Sequence, residues 1–315
     1  MSNTKKVLVT GGAGFIGSHL VNALVQKGYD VKVMDDLSFG AKENLKCSLD
    51  DIEFFEKSIL DRDALKKAAA GCSKIFHLAA HTSVQRSVEH PIDSHAVNTT
   101  GTLNVLEAAK DISAKVIFSS TSSYYGDNPN LPLLEHYCPN PVSPYGAHKV
   151  LGEHYLNVYK EVHGLEGIAL RYFNVYGPRQ NSFGGYSGVI KIFKEKIQKG
   201  QNLTIFGDGK QTRDFIYIKD IVNANIIAAE SDVKHGSFNI GTGIGTDVNT
   251  IAKMVIETMR AKVDIEYKPH RPGDPIQVYC DPKYTEENLG FKAKTSLKDG
   301  MPSALCDDES ALDFS

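Results

Sequence analysis

The sequence predicts an α/β chain: a doubly wound parallel sheet with a smaller C-terminal substrate-binding lobe. Three observations predict it. Short apolar runs alternate with helical patterns from Lys6 to Ser120, a glycine-rich turn joins the first run to the first helix, and from about Tyr172 the rhythm breaks into shorter elements. Strand–helix alternation points to a parallel sheet because each crossover must run back over the sheet before the next strand begins.

Lys6-Val7-Leu8-Val9-Thr10 reads as a buried strand. Gly11-Gly12-Ala13-Gly14-Phe15-Ile16-Gly17 follows, then an apolar helix from about Ser18 to Gln26. Gly12-x-Gly14-x-x-Gly17 fits the dinucleotide fingerprint, and Gly11-x-x-Gly14-x-x-Gly17 a variant of it. A diphosphate has to approach the backbone where a Cβ would block it, and the helix N-terminus then offers free N–H groups to the anion. The second strand, Val31 to Met34, ends in Asp35-Asp36, about 20 residues beyond the glycines, where an acid meets the adenosine ribose hydroxyls. Two acids there repel a 2′-phosphate, which favours NAD over NADP and makes this half a Rossmann domain.

Ile52 to Phe55 reads as the third strand and Leu60 to Ala70 as a helix with Asp61 near its start. Lys74 to Ala80 is a buried strand running into small residues. Asn98 to Lys110 is a helix with Leu103, Leu106 and Ala109 on one face, and Lys115 to Ser120 is the next strand. Ligands of such sheets lie beyond the carboxyl ends of the strands, so Ala79, Ala80, Thr121 and Tyr145 can converge there. Ser143-Pro144-Tyr145-Gly146-Ala147-His148-Lys149 sets a tyrosine and a lysine four apart, side by side on a helix. An ammonium beside a tyrosine favours its phenolate, which can exchange a proton with a substrate hydroxyl. His77 and His81 share the same spacing, but in a strand it does not bring the rings together. No Cys or acid completes a ligand set, so no metal is expected.

In the second half, Val189 to Lys199 is an amphipathic helix and Leu203 to Phe206 a strand. Phe215 to Ile218 is a strand, Asp220 caps a helix to Ala229, and Thr246 or Asp247 caps another to about Met259. The expected division is 1–172 for dinucleotide binding, with some later elements returning to it, 173–305 mainly for the substrate lobe, and 306–315 as an acidic, poorly patterned tail.

Composition sets outer bounds. Of 315 residues, 41% are hydrophobic and 23% charged, which describes an ordinary soluble globular protein. A net charge of −3 argues against nucleic acid or an anionic membrane as the main partner. Lys5-Lys6 ahead of Val7 to Val25 has the outline of a signal peptide or membrane span, but the glycine spacing and the polar Ser18, His19 and Asn22 make it part of the fold. Cys47, Cys72, Cys138, Cys280 and Cys306 form no CxxC, which suits a reducing cytoplasm.

With these residues placed, the chain resembles the extended short-chain dehydrogenase/reductase family, in particular nucleotide-sugar 4-epimerases of the UDP-glucose 4-epimerase type. The likeness runs from Lys6 to about Leu305. Its motifs are Gly11 to Gly17, Phe76-His77-Leu78-Ala79-Ala80, Ser119-Ser120-Thr121, Tyr145 with Lys149, and Arg171-Tyr172-Phe173-Asn174-Val175-Tyr176-Gly177-Pro178. Further along come Gly207-Asp208-Gly209, Arg213-Asp214 and Arg271-Pro272-Gly273-Asp274.

The resemblance implies that Tyr145 is the base, that Lys149 binds the nicotinamide ribose, and that Thr121 hydrogen-bonds the sugar O4. It implies an NAD site of Gly11, Gly14, Phe15, Ile16, Gly17, Asp35, Asp36, Ser58, Ile59, Leu78, Ala79, Ala80, Asn98, Tyr145, Lys149, Tyr172 and Val175. The UDP-sugar would meet Thr121, Asn174, Thr204, Phe206, Arg213, Arg271, Asp274 and Val278. A homodimer paired through the helix Asn98 to Lys110 and the helix bearing Tyr145 is also implied. Two departures from the family pattern matter. Ser58 stands where an acid near the adenine is usual, and Ser122-Ser123 replace the Asp-Glu pair that related 4,6-dehydratases use to expel water. Val278 falls at the position bordering the hexose; being smaller than an aromatic, it leaves room for a 2-N-acetyl group. A UDP-uronate epimerase or decarboxylase shares the catalytic residues and would be told apart by CO₂ release. A non-catalytic NAD-binding scaffold is the more distant alternative.

Overall fold

The computed structural model describes residues 5–180, 188–269 and 276–306. Its centre is a parallel sheet of seven strands. Six come in succession: β1 (Lys6–Thr10), β2 (Asp30–Asp35), β3 (Ile52–Glu56), β4 (Lys74–His77), β5 (Lys115–Thr121) and β6 (Gly167–Tyr172). The seventh, His235–Ile240, returns from the second half of the chain to pair with β6. Across the sheet, β3 and β2 lie on one side of β1, while β4, β5 and β6 lie on the other. The order therefore reverses between β1 and β4, which opens a crevice at their carboxyl ends.

Alternate residues of each strand feed two cores. Val7, Val9, Val31 and Val33 face α1 (Phe15–Gln26) in one cluster. Leu8, Met34, Ile75 and Val116 face α2 (Arg62–Ala69) and two later helices in the other. The links after β4 are α3 (Val84–Glu89), α4 (Pro91–His95), a π-helical turn at Ala96–Gly101 and α5 (Thr102–Ile112); α6 (Pro144–His163) links β5 to β6.

The second half supplies β7 (Asn174–Tyr176), α7 (Val189–Gln198), β8 (Leu203–Phe206), β9 (Thr212–Tyr217) and α8 (Ile218–Glu230). After these come β10 (the returning strand), β11 (Gly245–Asp247), α9 (Val248–Thr258), β12 (Ile265–Lys268), β13 (Gln277–Val278), α10 (Lys283–Leu289) and α11 (Leu297–Leu305). β7, β11 and β13 all pair with β9 in a small sheet, while β8 and β12 form a two-stranded ribbon.

Several elements differ from the sequence reading. α1 begins at Phe15 rather than Ser18, because the glycine turn feeds straight into the helix. β4 stops at His77, leaving Leu78 to Ala80 beyond its end. The helix expected from Asn98 is a π-turn until Gly101 and regular only from Thr102. β9 begins three residues earlier than expected and hands over to α8 at Ile218. Asp220 is not a cap. It sits in the first turn of α8, and its carboxylate accepts from the backbone N–H groups of Lys294 and Thr295 at 3.1 and 2.9 Å. Asp247, not Thr246, caps α9 by accepting from Thr250 N at 2.9 Å.

Candidate active site

The glycine turn packs directly on the end of β4. Gly11 has φ +71°, and a Cβ there would stand 2.6 Å from Ala79 N; a Cβ on Gly17 would drive into the Gly11 carbonyl. No side chain caps the N-terminus of α1 at Gly14. Its first-turn N–H groups therefore face the crevice, and the helix dipole favours an anion there. Asp35 closes the other end. Its two oxygens accept from Ala13 N at 2.9 Å and Leu37 N at 2.8 Å. Burial raises its pKa, and those two N–H groups pull it back down. Asp36 stays exposed and turns the chain by accepting from Ser38 N at 3.0 Å.

The crevice, 330 Å³, is lined by Gly11, Gly14, Phe15, Ile16, Gly17, Asp35, Asp36, Ser58, Ile59, Leu78, Ala79, Ala80, Thr121, Tyr145, Tyr172 and Val175, all singled out in the sequence. It also takes in Ser38, Phe39, Gly40, His81, Thr82, Ser119, Ser120 and Gln180. Ser38 to Gly40 and His81 to Thr82 simply continue past two strand ends already marked, and that adjacency was the available signal. The free N–H cradle, the spaced acid and the absence of a Cβ at Gly11 and Gly17 fit a dinucleotide.

Asn98 and Lys149 stand just behind the lining. The Asn98 amide is engaged with the His81 backbone. Lys149, 2% exposed, donates from Nζ to the Ser119 carbonyl at 2.7 Å and lies over the Phe118 ring. Burial pushes its pKa down to about 7.

Tyr145 is carried at the start of α6 for local reasons. Ser143 caps the helix by accepting from Gly146 N at 3.1 Å, Pro144 occupies the first turn, and Tyr145 N donates to Ser87 Oγ at 3.1 Å. Burial pushes the phenol up to about 12, and the nearby Thr121 hydroxyl pulls the other way. Lys149, one turn further along the helix, has its Nζ engaged with the Ser119 carbonyl. His77 ends β4. Its ring bonds Thr10 Oγ1 at 2.9 Å and Thr102 Oγ1 at 3.0 Å, and no metal-binding cluster occurs among the described residues.

On the substrate side, three expected residues fall on the small sheet. Asn174 pairs with Phe215, and Arg213 pairs with Val278. Val278 is buried in a cluster with Phe173 and with Tyr124 and Tyr125, two residues the sequence reading did not mark. Asp214, next to Arg213, is no surface acid: fully buried, it accepts from Thr242 N at 2.8 Å and Gly243 N at 2.9 Å. Thr204 and Phe206 lie apart, on the two-stranded ribbon, with Thr204 Oγ1 accepting from Lys196 Nζ at 2.5 Å. Arg271 and Asp274 lie outside the described residues.

A glycine cradle with a spaced acid, opening onto a Tyr-x-x-x-Lys helix, defines an NAD-dependent enzyme of the short-chain dehydrogenase/reductase class. Residues 7–241 match the model of the NAD dependent epimerase/dehydratase family, and the chain belongs to that family. Its cofactor is NAD. The fold superposes with a TM-score of 0.92 on the UDP-glucose 4-epimerase of Thermotoga maritima, solved with UDP-glucose; the two are 40% identical over 98% of this chain and 100% of that one. The UDP-N-acetylglucosamine 4-epimerase of Methanobrevibacter ruminantium, solved with UDP-N-acetylmuramic acid, gives 0.92 at 38% identity, over 96% and 97% of the two chains. The UDP-glucose 4-epimerase of Thermus thermophilus, solved with NAD, gives 0.87 at 36% identity, over 95% and 97%.

Proposed function

We propose that this chain is an isomerase that interconverts UDP-hexoses at C4, acting on the UDP-glucose/UDP-galactose pair and on the corresponding N-acetylhexosamine pair. The observation that carries this reading is that Tyr145 and Thr121 line one crevice together with the glycine cradle. Ser122 and Ser123 follow Thr121 where a dehydration would need an acid and a base.

Tyr145 accepts the proton of the sugar 4-OH, and the Thr121 hydroxyl orients O4. NAD, when bound, supplies reversible two-electron oxidation of C4 and, with Lys149, positive charge that lowers the cost of the phenolate. Gly11, Gly14 and Gly17 would hold its diphosphate, Asp35 and Asp36 the adenosine ribose, and Lys149 the nicotinamide ribose. Asn174, Arg213, Arg271 and Asp274 hold the nucleotide while the 4-keto sugar turns to present its other face. Tyr145 then returns the proton. Thr204 and Phe206 border the base, and Val278 borders C2 of the hexose.

The assembly we propose is a homodimer paired through α5 and α6, where Val158 and Val162 are left exposed. Five free thiols suit a reducing compartment, and we assign the chain to the cytoplasm.

The test is proton NMR of the purified protein with equimolar UDP-glucose and UDP-N-acetylglucosamine, without added NAD. Appearance of both galacto epimers is expected. No reaction on either, even after NAD is added, would overturn the reading and turn attention to a UDP-uronate.

A further inference from the structure

Tyr145, Lys149 and Glu153 stand four residues apart and share one face of α6. That face lies along the end of β5. Lys149 bonds the Ser119 carbonyl, Glu153 accepts from the Ser120 hydroxyl, and Tyr145 lines the crevice with Thr121. Two successive residues of the strand are thus tied to two successive turns of the helix, and the third pair, Thr121 and Tyr145, shares the crevice.

Glu153 has further partners. Arg171 donates to it from Nη2 at 2.7 Å and from Nε at 3.0 Å, and Ser237 Oγ donates at 2.9 Å. Arg171 also donates from Nη1 to Tyr125 Oη at 2.7 Å and to the Glu135 carbonyl at 2.9 Å. Its guanidinium lies 3.6 Å from the centre of the Tyr124 ring, which packs in one cluster with Val278. Both charges are deeply buried, at 9% and 3% exposure.

A buried ion pair of this kind is a weak source of net stability. Desolvation offsets its attraction, and apolar replacement of similar volume is often neutral or stabilising. Directionality is what it supplies, since the carboxylate accepts from β5, β6 and β10 at once and fixes α6 against all three.

We propose that Glu153 and Arg171 are positioning residues of the reaction. They set the rotation and height of α6 so that Tyr145 meets Thr121, and Arg171 sets the Tyr124–Val278 wall on the sugar side. This rests on the function proposed above.

The test compares Glu153→Gln, Ser120→Ala and the apolar double variant Glu153→Leu/Arg171→Met with the parent chain. Glu153→Gln is expected to lose about 10–100-fold in kcat, with KM for UDP-glucose within about twofold and bound NAD unchanged, as for a small misplacement of a catalytic group. Ser120→Ala removes only one hydroxyl and should lose about 3–10-fold in kcat. The double variant is expected to keep the parent's thermal midpoint yet stay slow, a combination that a purely structural role would not produce. Parental kcat in Ser120→Ala and in the double variant would overturn the proposal, and these two decide the matter if Glu153→Gln does not fold. An inert parent chain would overturn the proposed reaction instead. In that case, a crystal structure of Glu153→Gln decides the positioning role: displacement of Lys149 from Ser119 supports it, and an unmoved α6 refutes it.

Discussion

Asn98 holds His81 by both of its backbone groups: Oδ1 accepts from His81 N at 2.7 Å, and Nδ2 donates to the His81 carbonyl at 2.9 Å. The side chain thereby takes the place of a neighbouring strand for the residue that follows Leu78, Ala79 and Ala80 out of β4. Removing it leaves two backbone polar groups unpaired in a partly buried place. Asn98→Ala should lower stability by about 1–3 kcal/mol and loosen the wall of the crevice. Thermal unfolding checks the first effect, and absorbance of acid-released dinucleotide checks the second. Parental dinucleotide content would show that the turn holds its shape unaided.

Tyr145→Phe removes the proton acceptor and leaves the ring packing in place. Turnover should fall by about 10²–10⁴-fold. Bound NAD should match the parent, because the glycine cradle and Asp35 are untouched. Loss of both together would mean that the phenol is a binding group rather than the base.

Val278 is paired with Arg213 and buried against Tyr124, Tyr125 and Phe173. A tyrosine is too large for that cluster, and on the proposed reading, in which Val278 borders C2 of the hexose, it would project towards the sugar. Val278→Tyr is expected to reduce kcat/KM for UDP-N-acetylglucosamine by at least about tenfold relative to UDP-glucose, equivalent to about 1.4 kcal/mol of discrimination. An unchanged ratio between the two sugars would remove Val278 from the substrate wall.

His77 is fully buried, and burial pushes its pKa down to about 3 from 6.5. Between those values the unfolded chain binds more protons than the folded one. Stability from this group is therefore complete above pH 6.5 and is lost as pH falls towards 3, by at most about 3–5 kcal/mol. His77→Gln retains hydrogen-bonding capacity towards Thr10 and Thr102 but has no titration in that window. Urea unfolding at pH 7.5 and 4.5 should show a smaller drop in the variant than in the parent. Equal drops would place the acid sensitivity elsewhere.

Local chemistry made the nucleotide end of the crevice legible. Gly11 to Gly17, Asp35 and the Ser143-Pro144-Tyr145 helix start are each defined within a few residues, and the structure assembles them as read. What the sequence reading missed depends on distant partners. Asp220 looks like a helix cap in its own neighbourhood, but its acceptors are filled by Lys294 and Thr295. Glu153 carries no local signal and Arg171 only its place in a motif; their pairing appears once β5, β6 and β10 are brought together around them. The π-turn at Ala96–Gly101 follows no residue pattern; it shifts the helical register just where Asn98 reaches His81.

The return of β10 to the sheet also matters for how the protein is made. When residue 172 leaves the ribosome, six strands of the main sheet exist and β6 is a bare edge, its ladder groups open to any passing strand. The edge is closed only when His235–Ile240 has been synthesised. Until then the nascent chain is a nearly complete sheet with a sticky margin, the kind of intermediate that invites aggregation and that chaperones shield.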